Sequence, residues 1–301
     1  MENFLAQLRD DAAACETHIK ALLAAVPEPA AQLHEAMAYA VLNGGKRMRA
    51  ALVFGAARMA VGQDADAAPS EAMLRTAAAI EFLHAYSLVH DDLPAMDNAA
   101  TRRGQPSCHI KFDESTAILA GDALQTMAFE ILADPRTHAD AAVRIQLVAT
   151  LAKAAGLQGM AGGQMLDLQA ETRQFDLVET QQMQMMKTGA LFSCAVVCGG
   201  IVGAAPPDMR AAQAAFAQDL GLAFQIADDL LDYAGDASVM GKPSGQDADR
   251  GKAGFVALMG VDAARRTAQR MIDDANAALA PWQNTAHYMQ NLATFAITRN
   301  S

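Results

Sequence analysis

An all-α bundle is the fold class this sequence predicts, and three observations predict it. Of the 301 residues, 68 are alanine, the strongest helix former. Aromatic residues are only 5% of the chain and β-branched runs are scarce, which excludes an all-β sandwich or barrel. Apolar residues recur at helical spacing along nearly the whole chain. Hydrophobic residues reach 52%, enough to bury a large core.

The elements follow in order. A first helix, 2–25, stops at the VPEPA of 26–30. A second, 30–42, runs into Asn43-Gly44-Gly45, and a third occupies 48–61. The fourth, 69–92, is apolar and closes on acids. Four more are expected at 114–132, 139–155, 158–170 and 176–187. The uncharged stretch from Thr188 to Pro207 contains Gly189, Ser193, Gly199, Gly200 and Gly203. Those positions shorten its apolar run below a membrane span, so it reads as a helix, 189–203, at the centre of a bundle. After Pro206-Pro207-Asp208 the chain resumes as 207–234, again closing on acids, and helices at 255–280 and 283–297 complete the set. Segments 93–113 and 235–254 are polar and Gly-rich, and long irregular connections in a compact fold usually carry function. No linker or internal repeat divides the chain, so residues 1–301 read as one domain.

The formal net charge is −11 and no run of five or six basic residues exists. Nucleic acid and an anionic membrane are therefore poor first candidates as partners. A phosphorylated ligand would need a metal bridge or a local basic cluster. The cysteines, Cys15, Cys108, Cys194 and Cys198, form no CxxC pair and read as buried thiols in a reducing compartment. The N-terminal residues lack a basic segment followed by an apolar one, so a cytoplasmic location is expected.

Two acidic clusters stand out, His90-Asp91-Asp92-Leu93-Pro94-Ala95-Met96-Asp97 and Ala227-Asp228-Asp229-Leu230-Leu231-Asp232. Each closes an apolar helix, where the helix dipole favours cations, so something positive must compensate. Asp228 and Asp232 lie about 40° apart on one helical face and could share a divalent cation. Asp91 and Asp97 would lie about 240° apart on a continuous helix. Pro94 disfavours helix at Leu93, so the chain should turn there and bring Asp97 back. Such oxygen ligands suit Mg²⁺, which binds through one or two carboxylates plus substrate phosphates.

Basic residues answer these acids. Lys46, Arg47 and Arg49 follow two glycines at a helix start, a setting that favours anions. Arg102 and Arg103 follow the first acidic cluster, and an arginine fork suits phosphate. Lys187-Thr188-Gly189 adds another cation, and Lys242 and Lys252 lie in the Gly-rich stretch after the second cluster. Carboxylates for Mg²⁺, cations for phosphate and apolar walls together describe a ligand with a diphosphate head and a hydrocarbon tail.

The segments HAYSLVHDDLPAMD, RRG, AGDALQTMAFEIL, GMAGGQMLDL, MKTGALF, FQIADDLLD and GKPSGQDADRGK closely resemble the short-chain trans-isoprenyl diphosphate synthases of the polyprenyl synthetase family, and within it the bacterial farnesyl diphosphate synthases. The resemblance runs from about Asn43 to Ile297. It implies an isoprenoid synthase-type bundle of antiparallel helices around a deep central cavity, usually a homodimer. It implies Mg²⁺-dependent head-to-tail condensation of isopentenyl diphosphate with dimethylallyl or geranyl diphosphate to farnesyl diphosphate, with three Mg²⁺ ions when substrate is bound. Asp91, Asp92, Asp97 and Asp228 would be metal ligands, supported by Asp229 and Asp232. Arg102, Lys187, Thr188, Gln225 and Lys242, with Lys252 nearby, would line the allylic diphosphate. Lys46, Arg49, His84 and Arg103 would hold isopentenyl diphosphate. Asp91, Asp92, Arg102, Lys187 and Asp228 would carry catalysis.

Tyr86 lies five residues before Asp91, about 7.5 Å along the axis, with Ser87 one turn below Asp91. A ring there could floor the tail pocket, and in the family this pattern resembles the fifteen-carbon class. Geranylgeranyl or geranyl diphosphate synthesis is the alternative, as is an inert regulatory subunit, which would be expected to lose an acidic cluster. Three departures are visible. Asn98-Ala99-Ala100-Thr101 replaces further acids and a leucine, implying weaker Mg²⁺ binding. Gly254-Phe255-Val256 replaces the usual Ser/Thr-aromatic-Pro. The chain ends Arg299-Asn300-Ser301 where a terminal basic residue is common, implying looser closure over the diphosphates.

Overall fold

In the first helix, α1 (Glu2–Ala24), Phe4, Leu8, Cys15, Ile19 and Leu23 form one buried stripe, the helical spacing of an amphipathic element. The computed structural model that shows this describes residues 2–25, 30–62, 67–238 and 254–299. Helices α2 (Ala31–Leu42), α3 (Met48–Val61) and α4 (Glu71–Asp91) follow. Buried residues cover nearly the whole of α3 and most of α4, so these two form the centre. Ser70 caps α4 by accepting from the Met73 N–H at 3.3 Å, a standard way to satisfy a helix start.

The connection after α4 contains more structure than its composition announced. Strands β1 (Thr101–Arg102) and β2 (Gln105–Pro106) pair antiparallel, and a short helix α5 (Cys108–Lys111) follows. Then come α6 (Glu114–Ala133), α7 (Ala141–Ala155), α8 (Met160–Ala170) and α9 (Leu177–Gln184). The break expected near 188 does not occur. Residues Met185–Gly189 widen into a π-turn that leads directly into α10 (Ala190–Val202).

Helix α11 (Pro207–Ser238) is the longest. The single helix expected over 255–280 is divided into α12 (Phe255–Met259) and α13 (Val261–Ala278). Gly260 between them has φ +82°, a conformation that ends a right-handed helix. The last helix is α14 (Gln283–Thr298). Helix α10 packs on α3, α6 on α4, and α13 on α11.

Helix α10 buries Leu191, Phe192, Cys194, Ala195, Val196 and Cys198. By length and composition alone, 177–202 and 114–133 could each span a membrane, but half of the apolar window in 177–202 is buried inside the fold. All four cysteines are free and buried.

One polar residue interrupts the stripe of α1. Asp11 is 1% exposed, and its carboxylate accepts from both Arg58 terminal nitrogens, at 2.6 and 2.7 Å. The Tyr288 hydroxyl donates to the same carboxylate at 2.6 Å. This triad ties α1, α3 and α14 together, and α14 in turn delivers Arg299 to the cavity described next.

Candidate active site

A cavity of about 900 Å³ opens where the start of α3, the end of α4, the middle of α11, the π-turn and the end of α14 meet. Asp91 is the last residue of α4, and the chain then folds back on itself. The Asp97 N–H donates to the Asp91 carbonyl at 2.8 Å, and the Met96 and Asn98 N–H groups both donate to Leu93. Asn98 accepts a left-handed φ of 49° in this turn. Asp91 and Asp97 consequently line one wall. Burial raises the Asp91 carboxyl to about 6, with Asp97 adding to the rise and Lys187 opposing it. A carboxylate held against its own charge in this way favours an arriving cation.

Asp92, expected beside Asp91 as a metal ligand, is placed differently. One helical step turns it some 100° away, and it does not line the cavity. Its carboxylate is buried and accepts from Arg102 Nε at 3.1 Å and Nη2 at 2.5 Å. Asp92 therefore fixes Arg102, which does reach the cavity.

The second cluster also divides. Asp228, on α11, also lines the cavity and accepts from Arg299. Asp229 turns the other way and accepts from the Val256 N–H at 2.6 Å, at the start of α12. Asp232, one turn further along the same helical face, is exposed and does not line the cavity.

The cations converge. Lys46, Arg49, Arg102, Arg103 and Lys187 line the cavity with His84, Thr188 and Gln225. Arg49 stacks over Phe192, 5.0 Å from its centroid. Its Nε is buried with no hydrogen-bond partner among the described residues. Burial lowers its pKa to about 10, still charged at neutral pH. Burial, then the neighbouring Arg49 and Arg103, push the His84 imidazole well below its ordinary value, so it is neutral. Arg103 donates to the Gly44 carbonyl at 2.5 Å, locking the β1–β2 turn onto the glycine loop. Lys242 and Lys252 lie outside the described residues.

Lys187 and Thr188 reach the cavity because they sit in the π-turn, a local widening that often marks functional sites. Lys187 Nζ pairs with Asp167 of α8 at 2.8 Å. Helix α8 comes this close only because Gly163 has no side chain. A Cβ there would stand 2.1 Å from the Lys187 nitrogen. Backbone cannot yield as a side chain can, so Gly163→Ala is expected to cost about 1–3 kcal/mol, the overpacking scale. Thermal unfolding would read it.

Two expected tail-pocket residues are placed differently. Tyr86 does not line the cavity; it faces α6, edge-on to His90 at 4.9 Å and hydrogen-bonded to Gln125. The Ser87 hydroxyl donates back to the His84 carbonyl at 2.8 Å. The apolar wall is formed by Leu88, Phe192 and Phe224.

Arg299 is the site residue that sequence reasoning missed. Its guanidinium is almost fully buried, pairs with Asp228 and lies 3.7 Å over the Phe224 ring. The available signal was a cation just past the last turn of an apolar helix, the complement of an acid at another helix end.

Seven Lys or Arg residues and four Asp or Glu residues line this cavity, in a chain whose net charge is −11. The site is a local reversal of sign and fits a polyanion. Among the described residues no three His, Cys, Asp or Glu side chains converge into a ready-made metal cage. Carboxylates from both acidic clusters, short of a full shell, suit Mg²⁺ that completes its coordination with water and ligand phosphates.

The chain matches the family model "Polyprenyl synthetase" over residues 30–288. It is 44% identical to the farnesyl diphosphate synthase of Haemophilus influenzae over 275 residues, 90% of each chain. It is 36% identical to the geranylgeranyl diphosphate synthase of Cyanophora paradoxa over 271 residues, 89% of this chain and 88% of that one. Among solved structures, an FPP/GFPP synthase from Zymomonas mobilis superposes with a TM-score of 0.86 at 40% identity, covering 98% of this chain and 99% of that one. Both the match over most of the chain and the shared helical architecture place this chain in the polyprenyl synthetase family.

Proposed function

We propose that this chain is a prenyltransferase that joins isopentenyl diphosphate head to tail to dimethylallyl or geranyl diphosphate, giving farnesyl diphosphate and releasing diphosphate. The observation that carries this reading is the cationic cavity itself, lined by carboxylates from both acidic clusters and by apolar side chains. Homologues with the farnesyl diphosphate synthase name cover most of the chain, which supports it. The whole of 1–301 acts as one domain.

Arg102, Lys187 and Thr188 are placed to bind the allylic diphosphate, and Lys46, Arg49, Arg103 and His84 the isopentenyl diphosphate. Asp91, Asp97 and Asp228 would hold Mg²⁺, with three ions expected when substrate is bound. Mg²⁺ supplies charge neutralisation for a departing diphosphate. Arg102 and Lys187 add fixed positive charge on the same leaving oxygens. The allylic C–O bond breaks and leaves a delocalised carbocation, which the isopentenyl double bond attacks to form the new C–C bond. Phe192 and Phe224, with Leu88, supply an apolar lining that keeps water from capturing that cation. The final proton goes to the released diphosphate, because His84, held neutral among guanidiniums, is a poor base.

The exposed Ile110, Ile118, Leu119 and Ile145 lie on α5, α6 and α7. We assign that face to a second copy of the chain, giving a homodimer. Four buried free thiols accord with the cytoplasm.

Incubation with Mg²⁺, labelled isopentenyl diphosphate and either geranyl or dimethylallyl diphosphate tests the reading. Farnesyl diphosphate is expected from both starters and none after chelation. No condensation in protein that binds Mg²⁺ and diphosphate would indicate a regulatory subunit. A twenty-carbon product is the second reading, favoured by the position of Tyr86 behind α4. If the tail passes Leu88 into the α4–α6 seam, Tyr86→Ala should shift product from fifteen to twenty carbons or longer. An unchanged product distribution would remove Tyr86 from chain-length control.

A further inference from the structure

We propose that Arg47 is a positioning residue that fixes the isopentenyl diphosphate end of the cavity by holding Lys46 and Arg49 in place, while its own guanidinium never meets substrate. The inference rests on the substrate assignment above and deepens it.

Lys46, Arg47 and Arg49 look equivalent in the sequence, but the fold inverts the middle one. Lys46, Arg47 and Arg49 all border the cavity, but the Arg47 side chain is only 3% exposed and its guanidinium is taken up by protein partners. Its Nε and Nη2 donate to Glu16 of α1 at 3.3 and 3.2 Å. Its Nη1 donates to Glu81 of α4 at 3.1 Å, and Nη2 also donates to the Val41 carbonyl of α2 at 2.6 Å. One guanidinium thus joins three helices at the point from which α3 departs.

The backbone explains the inversion. Arg47 has φ +50° and ψ 39°, a left-handed conformation that a side chain adopts only when its surroundings over-determine it. That turn buries the Arg47 guanidinium against α1, α2 and α4 while the residue still borders the cavity. Glu81 uses both oxygens, one on Arg47 and the other accepting the Ala50 N–H at 3.3 Å. It therefore seats the first turn of α3, the turn that carries Arg49. Buried ion pairs rarely add net stability because each charge must be desolvated. Fixing geometry is the role that this arrangement fits, since a charged group displaced by about 1 Å loses much of its effect.

The test separates the two diphosphate ends. Arg47→Lys keeps the charge but cannot span Glu16, Glu81 and Val41 together. Its KM for isopentenyl diphosphate is expected to rise about tenfold, the loss typical of removing a supporting partner. Its KM for geranyl diphosphate and its kcat should stay within about twofold. Calorimetric titration with isopentenyl diphosphate should show the same weakening without turnover. Arg47→Met combined with Glu81→Gln removes both buried charges and provides the same readout if the lysine variant does not fold. Equal changes in both KM values, or no change in either, overturn the proposal. Unfolding of both variants also overturns it, making Arg47 a stability residue alone. A wild-type chain that binds isopentenyl diphosphate without condensing it would sink the proposed function, while the titration still decides the role of Arg47.

Discussion

Asp91→Asn is expected to lower kcat on the order of a thousandfold while the protein remains fully folded. Asp91 is the carboxylate at the end of α4 that faces the cavity alongside Asp97. Weakening charge neutralisation at a leaving group forfeits about 4 kcal/mol, and each ~1.4 kcal/mol is a factor of ten in rate. The same substitution should not harm the fold. Burial raises the Asp91 pKa from 3.8 to about 6, so its charged form is disfavoured in the native state. A raised carboxyl supports the fold below its unfolded pKa, and that support is lost as pH rises through about 6. At pH 7 without divalent metal, Asp91→Asn should therefore unfold at a temperature equal to or above wild type. Activity and thermal unfolding on one preparation would show the two effects moving in opposite directions. A variant that lost both together would mean that Asp91 is structural.

The second large effect concerns stability. Asp11→Ala is expected to destabilise the protein by about 3–5 kcal/mol, the cost of leaving a buried charge without its partner. Asp11 accepts from Arg58 twice and from Tyr288 once, and both Asp11 and Arg58 are 1% exposed. Removing the carboxylate strands a guanidinium in the core. Asp11→Ala combined with Arg58→Met removes both charges and should recover much of the loss. Urea unfolding of the two variants would check this. A double variant as unstable as the single would indicate that packing, not charge, dominates at this junction.

Most of the helical frame was legible because apolar spacing directly reports which face of a helix is buried. The boundaries of α2, α3 and α10 fall within a residue or two of expectation. The break at Gly260 was not legible, because a left-handed φ is permitted by glycine but not required by it. The π-turn escaped for a related reason. It lies against Gly163 of α8, a contact between residues distant in sequence.

In the site, residue type was legible and orientation was not. Asp91 and Asp92 are adjacent acids, yet a single helical step sends one to the cavity and the other to Arg102. Lys46 and Arg47 are adjacent cations, and a left-handed turn separates their directions. Asp228 and Asp229 part in the same manner, one towards Arg299 and one towards α12. Arg299 was invisible as a site residue because it depends on where α14 ends in space. The expectation of looser closure concerned the chain end, of which only Arg299 lies within the described residues, and that residue lines the cavity.

The central claim is that carboxylates from both acidic clusters bind divalent metal together with diphosphate inside one cationic cavity. Crystals of the protein soaked with Mn²⁺ and inorganic diphosphate, measured for anomalous scattering, test it most directly. The account predicts metal peaks against Asp91, Asp97 and Asp228, diphosphate in contact with Arg102 and Lys187, and Asp92 still paired with Arg102. Metal bound only outside the cavity, or diphosphate held there with no metal beside these three carboxylates, would contradict it.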